Sequence, residues 1–321
     1  MTSEPVNIIF DTDMHTDCDD AGALAVLHAL ADEGSVCIVG TLHTAPTPFG
    51  SHCVDAVNTY YGRPRTPVGG MTWVDYATAP RYEAYRSGAR SVEERGSDYV
   101  EIISREFPRI QTQNGDVQDS VALYRKLLAG AEDGSIVVCA IGQLTGLAGL
   151  LDSPSDSVSA SSGVDLAQSK IKLLVTMALG SWPEGEDGWN WRCDIPAAAR
   201  VLNDWPGPLA VLPHGGDVLT GGELVASAPA SNPVRRIYEI YAKGNDHPSW
   251  DQCTVLYAST GPGELFAERA GYRLHFDGAS GKHEWRKDST SPHVYIEQVA
   301  SSAAIARIVE ELMCRPPKRR R

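Results

Sequence analysis

The chain has 321 residues, of which 42% are hydrophobic and 21% charged, a balance typical of a globular protein long enough for a full core. Its 41 acidic residues outnumber 28 basic ones, giving a formal charge of -13, which argues against a nucleic-acid partner, since such partners are met by basic patches. No apolar run of 18 residues and no basic-then-apolar leader is visible, so neither a membrane span nor a signal peptide is expected.

In chain order, Val6 to Phe10 is an apolar run with strand character that stops at Asp11. From Asp19 on, Ala21, Leu24, Ala25, Leu27 and Leu30 recur at three and four, the period of a helix, and Gly34 is placed to close it as a C-cap. Val36 to Thr41 reads as a second strand, so the opening is a βαβ unit. Cys37 lies in that run and Cys139 in a later one, and both are expected in the core. Residues 52–61 read as a helix, Pro64 to Gly70 as a short strand and turn, and residues 71–97 as loops with a short helix. Gln118 to Leu128 reads as a helix, Ser135 to Ile141 as a central strand because it is apolar nearly throughout, and Thr145 to Leu151 as a helix capped by Thr145. A surface loop is expected over 152–168 and a strand over Ile171 to Thr176. Further on, Ile195 to Leu202 suggests a helix, Leu209 to Leu212 a strand, and Val234 to Tyr241 and Asp251 to Ala258 two more helices. Short alternating pieces in 271–297 suggest an antiparallel hairpin region, and 299–313 a terminal helix.

The repeated βα rhythm predicts one α/β domain over residues 1–314, an open and mostly parallel sheet flanked by helices, with a small antiparallel region near the C-terminus. Residues 315–321 read as a frayed basic tail. In such sheets ligands sit beyond the carboxyl ends of the strands, which gathers the loop at 11–20 with segments near 142–145, 177–190 and 245–251. The seven cysteines include no CxxC pair, which fits a reducing, cytoplasmic setting and offers no zinc site.

The strongest local signal is the stretch from Asp11 to Asp20, where Asp11, Asp13, Asp17, Asp19 and Asp20 place five carboxylates in ten residues. Left unpaired they repel, so a hard cation with oxygen ligands is implied. Capping by Asp19 or Asp20 accounts for one aspartate and not for five. An EF-hand is excluded, because neither register puts Gly at loop position six and Glu at position twelve. A phosphatase of the haloacid-dehalogenase type wants Thr or Val where His15 stands.

The stretch FDTDMHTDCDDAGALAVL resembles the signature of the inosine-uridine-preferring nucleoside hydrolases, and AIGQLTGLAGLL, LLVTMALG, WNWRCDIPAA and SWDQCTVLYA resemble later segments of that family nearly to the end of the chain. The resemblance implies hydrolysis of the N-glycosidic bond of a ribonucleoside or related N-riboside to free base and ribose. It makes Asp13 the general base and a metal contact, with a calcium-bound water as nucleophile. It makes Asp20, the backbone carbonyl of Thr145, and Asp251 the other calcium ligands. Asp19, Met177, Asn190 and Asp251 would contact the sugar. The partner implied is a small-molecule ribonucleoside, and the assembly a homodimer or homotetramer.

Several positions depart from that pattern. His15 and Thr16 replace the usual Gly and Asn, which predicts a different loop shape. Gln143 and Gly146 replace Pro and Asn, and Gly188 replaces a Glu near the sugar's 5′ end, for which Glu186 or Asp187 are the available substitutes. Trp250 stands where the family carries the His that protonates the leaving base. A Trp there can stack on a base but not protonate it, and His247 is close in sequence. Two alternatives follow: a calcium-dependent nucleoside- or sugar-binding protein with little turnover, or a hydrolase of a modified nucleoside.

Overall fold

The structure is a computed structural model and describes residues 4–45, 47, 49–72, 78–94, 98–114, 117–178 and 180–318, with the backbone alone for 89–94. The first half of the chain runs β1 (Val6–Thr12), α1 (Asp19–Glu33), β2 (Val36–His43), α2 (Gly50–Tyr60), β3 (Val68–Gly70), a 3-10 turn (Pro80–Tyr82), α3 (Glu83–Glu94), α4 (Tyr99–Glu106), β4 (Gln118–Asp119), α5 (Ser120–Ala129), β5 (Ile136–Ala140) and α6 (Thr145–Asp152). It continues with α7 (Gly163–Lys170), β6 (Ile171–Met177), β7 (Glu184–Glu186), α8 (Asn190–Cys193), α9 (Ile195–Asp204), β8 (Leu209–Leu212), β9 (Leu219–Thr220), α10 (Gly222–Ser227) and α11 (Pro233–Tyr241). The last elements are β10 (His247–Pro248), α12 (Trp250–Thr260), β11 (Phe266–Arg269), β12 (Tyr272–Phe276), β13 (Lys282–Lys287), β14 (His293–Gln298) and α13 (Ser302–Met313). No helix among the described residues is long and apolar enough to cross a membrane.

Among the described residues, nine strands form the main sheet in the order β11-β14-β8-β6-β5-β1-β2-β3-β4. Every neighbouring pair is parallel except β11 with β14. The chain builds outward from β1 through β2 to β4, then returns to the other side of β1 with β5. That reversal leaves a crevice beyond the carboxyl ends of β1 and β5, where open α/β sheets take their ligands. Asp11 pairs in register with Ala140 of β5 and Leu42 of β2, so the acidic loop leaves the sheet at its centre.

Helices cover both faces, and the strands and helices respond accordingly. All five residues of β5 are buried, as its unbroken apolar run predicts. Residues Asp19 to Leu30 of α1 are all buried, because this helix is enclosed by β2, α12 and α13. That explains why its sequence is apolar around nearly the whole circumference rather than on one stripe. Gly34 closes α1 in the left-handed region at φ 87°, with its N–H on the Leu30 carbonyl.

Several expectations need correction. Neither Asp19 nor Asp20 caps α1; both lie inside its first turn behind Cys18, which makes no side-chain cap. Thr145 does not cap α6 either, since its hydroxyl is bonded to Asp194. The expected loop at 152–168 ends in α7, started by a reciprocal capping box between Ser162 and Asp165. Such a box draws its Ser and Asp from the composition that otherwise reads as loop. β12 and β13 form the expected hairpin and recruit β7, but β14 instead joins the main sheet beside β8. Cys139 is buried, whereas Cys37 is exposed on the outer part of β2. Residues 71–97 hold the 3-10 turn and α3, with 73–77 and 95–97 outside the described residues. The start of the tail is anchored: the Lys318 N–H donates to Asp32 at 2.9 Å, and Arg315 pairs with Glu33 and Glu311. Residues 319–321 lie outside the described residues.

Candidate functional site

The site is assembled from four strand ends and three helix starts. Strand β1 delivers Asp11, Thr12 and Asp13, and α1 follows at once with Asp19 and Asp20 in its first turn. Directly beyond β5, the Ile141 N–H donates to the Asp11 carbonyl at 2.8 Å, extending the β1–β5 ladder into the loop. This brings Gly142 against the Asp13 side chain. A Cβ on Gly142 would stand 2.6 Å from Asp13 Oδ1, so only glycine leaves that carboxylate its place. Met177 ends β6, and Asn190 starts α8. The Asn190 amide nitrogen donates to the Ile141 carbonyl at 2.8 Å and lies 3.2 Å from the Met177 sulfur, so it stitches the end of β6 to the loop after β5.

The far side of the chain contributes Trp250 and Asp251 in the first turn of α12. Their approach depends on Gly215, which follows β8 at φ 128°; a Cβ there would meet Trp250 Cα at 2.4 Å. Trp250 also receives His247 edge-on, with ring centroids 6.0 Å apart. The Asp251 N–H donates to Asp19 Oδ2 at 3.2 Å, joining the two helix starts.

A cavity of about 150 Å³ opens here, lined by Asp13, Asp17, Asp19, Ile141, Met177, Asp187, Trp189, Asn190, Trp250 and Asp251. Six of the eight residues singled out in the sequence therefore share one wall: Asp13, Asp19, Met177, Asn190, Trp250 and Asp251. Asp20 and Thr145 stand behind it. One carboxylate oxygen each from Asp19, Asp20 and Asp251 lies within 4.8 Å of the other two. Asp20 accepts a very short hydrogen bond from the Thr12 hydroxyl, which itself accepts the Met14 N–H at 3.1 Å. Thr145 Oγ1 donates to Asp194 at 2.7 Å, and Asp194 also receives Arg81 at 2.6 Å and caps α9. A larger cavity of about 880 Å³ lies over β7, β12 and β13, lined by both acids and bases such as Glu184, Lys282 and Arg286. It gathers none of these eight residues, so the smaller one is the candidate site.

The electrostatics of the cluster call for a cation. Burial first, and neighbouring carboxylates second, push Asp13, Asp19, Asp20 and Asp251 well above the usual carboxylate range. Asp11 is pushed to about 7 by burial, against the lowering effect of hydrogen bonds from Tyr124 and Thr44. Asp11 thus faces inward on Tyr124 and is absent from the cavity wall. Asp13 Oδ2 and Asp19 Oδ1 are buried with no hydrogen-bond partner among the described residues. Buried oxygens without donors, in a set made only of carboxylates, suit a hard divalent cation.

Two further residues of the wall were only partly legible in the sequence. Asp187 lines the cavity, and its Oδ2 accepts the N–H groups of Trp189 at 3.2 Å and Trp191 at 2.7 Å. Glu186 instead stands on exposed β7 and pairs with Lys282, so of the two acids beside Gly188 only Asp187 reaches the site. Trp189 lines the same cavity, and its interaction with Asp13 lowers that carboxyl's pKa against the effect of burial. Asp187 was one of two candidates for the acid missing at Gly188, whereas the one signal for Trp189 was its place just before Asn190. His15 fills its loop without a left-handed backbone, its ring nitrogen 2.6 Å from the Tyr85 hydroxyl.

No family model and no curated protein matches this sequence. Solved structures do. The inosine-uridine preferring nucleoside hydrolase from Bacillus anthracis aligns at 15% identity and a TM-score of 0.64, over 96% of this chain and 99% of that one. The purine-preferring ribonucleoside hydrolase from Gardnerella vaginalis aligns at 15% and 0.65, over 96% and 99%. The type III effector protein XopQ, complexed with adenosine diphosphate ribose, aligns at 15% and 0.68, over 98% and 95%. Matches of this length and low identity establish architecture rather than activity: this chain has the nucleoside hydrolase fold.

Proposed function

We propose that the protein hydrolyses the N-glycosidic bond of a ribonucleoside or related N-riboside, with Asp13 as general base. The observation that carries this reading is the unpartnered, buried Oδ2 of Asp13 in a cavity whose other acids are Asp17, Asp19, Asp187 and Asp251. A carboxylate so placed can take a proton from water attacking the anomeric carbon. Departure of the base leaves an oxocarbenium-like centre, and fixed carboxylates around it stabilise that positive charge. Asp19, Asp251, Asn190 and Met177 line the same wall and would hold the sugar.

Asp13, Asp20 and Asp251, with the Thr145 carbonyl, would hold a calcium ion. When bound, the ion neutralises the acids and supplies a Lewis-acidic anchor for a pair of ribose hydroxyls. The similarly folded XopQ was solved with adenosine diphosphate ribose, which also supports a riboside ligand here.

A second reading, a riboside-binding protein with little turnover, is favoured by Trp250 at the position of the expected leaving-group acid and by Gly188 at that of a sugar contact. Release of free base from a panel of ribosides with calcium present separates the two. Turnover that falls in Asp13→Asn supports the hydrolase; saturable calcium-dependent binding without base release supports the binder.

A further inference from the structure

The cavity wall carries charge of one sign only. Asp13, Asp17, Asp19, Asp187 and Asp251 contribute to it, and no lysine, arginine, histidine or tyrosine is among the described residues that line it. Asp20 is buried directly behind, with its carboxylate in reach of Asp19 and Asp251. One divalent cation would balance two carboxylates, and the wall and Asp20 together offer six acids. The same wall holds two indoles, Trp189 and Trp250. Trp250 is fixed by Gly215 and Gly216 on one side and by His247 edge-on. Trp189 is held against Tyr85, ring centroids 6.3 Å apart.

Resting on the hydrolase reading, we propose that the preferred substrates are ribosides whose heteroaromatic aglycone carries a fixed positive charge, the simplest class being N-ribosylpyridiniums. Carboxylates at short range attract a cationic ring, and an indole binds a flat cation more strongly than its neutral counterpart. The leaving-group chemistry points the same way. A neutral purine or pyrimidine departs as an anion unless a proton is delivered to it; Trp250 has none to give at neutral pH, and His247, a ring nitrogen of which lies within 4.8 Å of carboxylate oxygens of Asp17 and Asp19, is not among the residues that line the cavity. A pyridinium needs no such proton. Water oxygen bonds to C1′ and its proton passes to Asp13. The C1′–N bond breaks with both electrons going to nitrogen, and the aglycone leaves neutral. The products are ribose, the neutral heteroaromatic and one proton, so charge and atoms balance. A 5′-phosphate would bring negative charge among carboxylates, so the phosphorylated counterpart is disfavoured.

The test compares nicotinamide riboside, nicotinamide mononucleotide, inosine and uridine on the full chain with calcium. The expected result is a kcat/KM for nicotinamide riboside at least about tenfold above the other three. Its KM should rise between about 0.05 and 0.5 M salt while those of the neutral nucleosides stay flat. Trp250→Leu should raise the KM for nicotinamide riboside roughly tenfold and that for inosine by clearly less, with Trp250→Phe intermediate. If Trp250→Leu does not fold, Trp250→Phe and the salt series carry the comparison. Preference for inosine or uridine, or equal effects of salt and of Trp250 substitution on charged and neutral ribosides, overturns the substrate class and leaves the hydrolase standing. No base released from any riboside overturns the hydrolase reading itself.

Discussion

Asp251 donates its backbone N–H to Oδ2 of Asp19 at 3.2 Å, across 232 positions of sequence. The contact joins the first turns of α1 and α12, both of which start without a side-chain cap. Their exposed N–H groups and dipoles place partial positive charge where Asp19, Asp20 and Asp251 gather. That helps hold acids together but falls short of a full charge per carboxylate, and Asp13 Oδ2 and Asp19 Oδ1 still lack donors among the described residues. The helix starts orient the acids, and a cation is left to neutralise them.

Gly142 offers a test of geometry apart from chemistry. Its Cβ position lies 2.6 Å from Asp13 Oδ1 and 2.7 Å from Asp13 Cγ. Gly142→Ala keeps every acid but displaces the base. A displacement near 1 Å is expected to lower kcat by about 10²-fold, with a smaller effect on the melting temperature. Unchanged turnover in the folded variant would show that the position of Asp13 is immaterial.

The metal-free protein should respond to pH in an unusual direction. Asp11 is raised to about 7 by burial, against about 3.9 for an unfolded Asp. Between those values the folded state keeps a proton that the unfolded state has released. Its contribution to stability is therefore full below about pH 4 and is lost as pH rises toward 7, with a ceiling of about 4 kcal/mol. Asp13, Asp19, Asp20 and Asp251 are shifted the same way. Calcium should thus raise the melting temperature strongly at pH 7 and barely at pH 4, where protons occupy the carboxylates. Thermal melts with chelator and with calcium across this range check it, and Asp11→Asn should flatten the metal-free curve. Equal stabilisation by calcium at both pH values would contradict the assignment.

How much of this was legible in sequence depended on how local each signal was. Asp13, Asp19 and Asp20 could be read because they crowd one loop after an apolar run. Asp251, Asn190, Met177 and Thr145 each look like caps, turns or core, and gained meaning only through a resemblance spanning the chain. Asp187 could be named only as an alternative to Glu186, and Trp189 not at all, because their position depends on how the turn before α8 folds back, with Asp187 holding the amides of Trp189 and Trp191. The fold was read more fully, since the βα period is repeated. Its misses, α7 and the strand pairing of β14, lie where loop-like residues form a capping box and where the hairpin gives way to the main sheet.

Asp194 is the anchor behind the site. It receives Thr145 Oγ1 at 2.7 Å and Arg81 at 2.6 Å, and it caps α9 through the Ala197 N–H. Asp194→Ala should cost about 2–3 kcal/mol, from the lost cap and the stranded Thr145 hydroxyl. Because Thr145 opens α6 at the proposed calcium site, calcium affinity should weaken as well. Denaturant melts and calcium titration measure the two effects, and a variant as stable as the parent would remove Asp194 from this role.

Asp13 and Asp251 should fail in different ways. Asn at position 13 keeps the size and still offers an oxygen to a cation, but it cannot accept a proton from water. Asp13→Asn is therefore expected to lower kcat by about 10² to 10⁴ while calcium and riboside still bind. Asp251→Ala removes a carboxylate that shares the cluster with Asp19 and Asp20 and lines the cavity, so it should weaken calcium and riboside binding together. The stranded Asp19 contact is spared, because it is made by the Asp251 backbone and not its side chain. Ribosides should outcompete their 2′-deoxy counterparts, since the cation needs an adjacent hydroxyl pair. Steady-state rates, calcium titration and riboside binding on both variants distinguish the roles. Asp13→Asn cleaving at the parental rate with calcium bound would take the base from Asp13. Equal handling of ribosides and 2′-deoxyribosides would take the hydroxyl pair out of recognition.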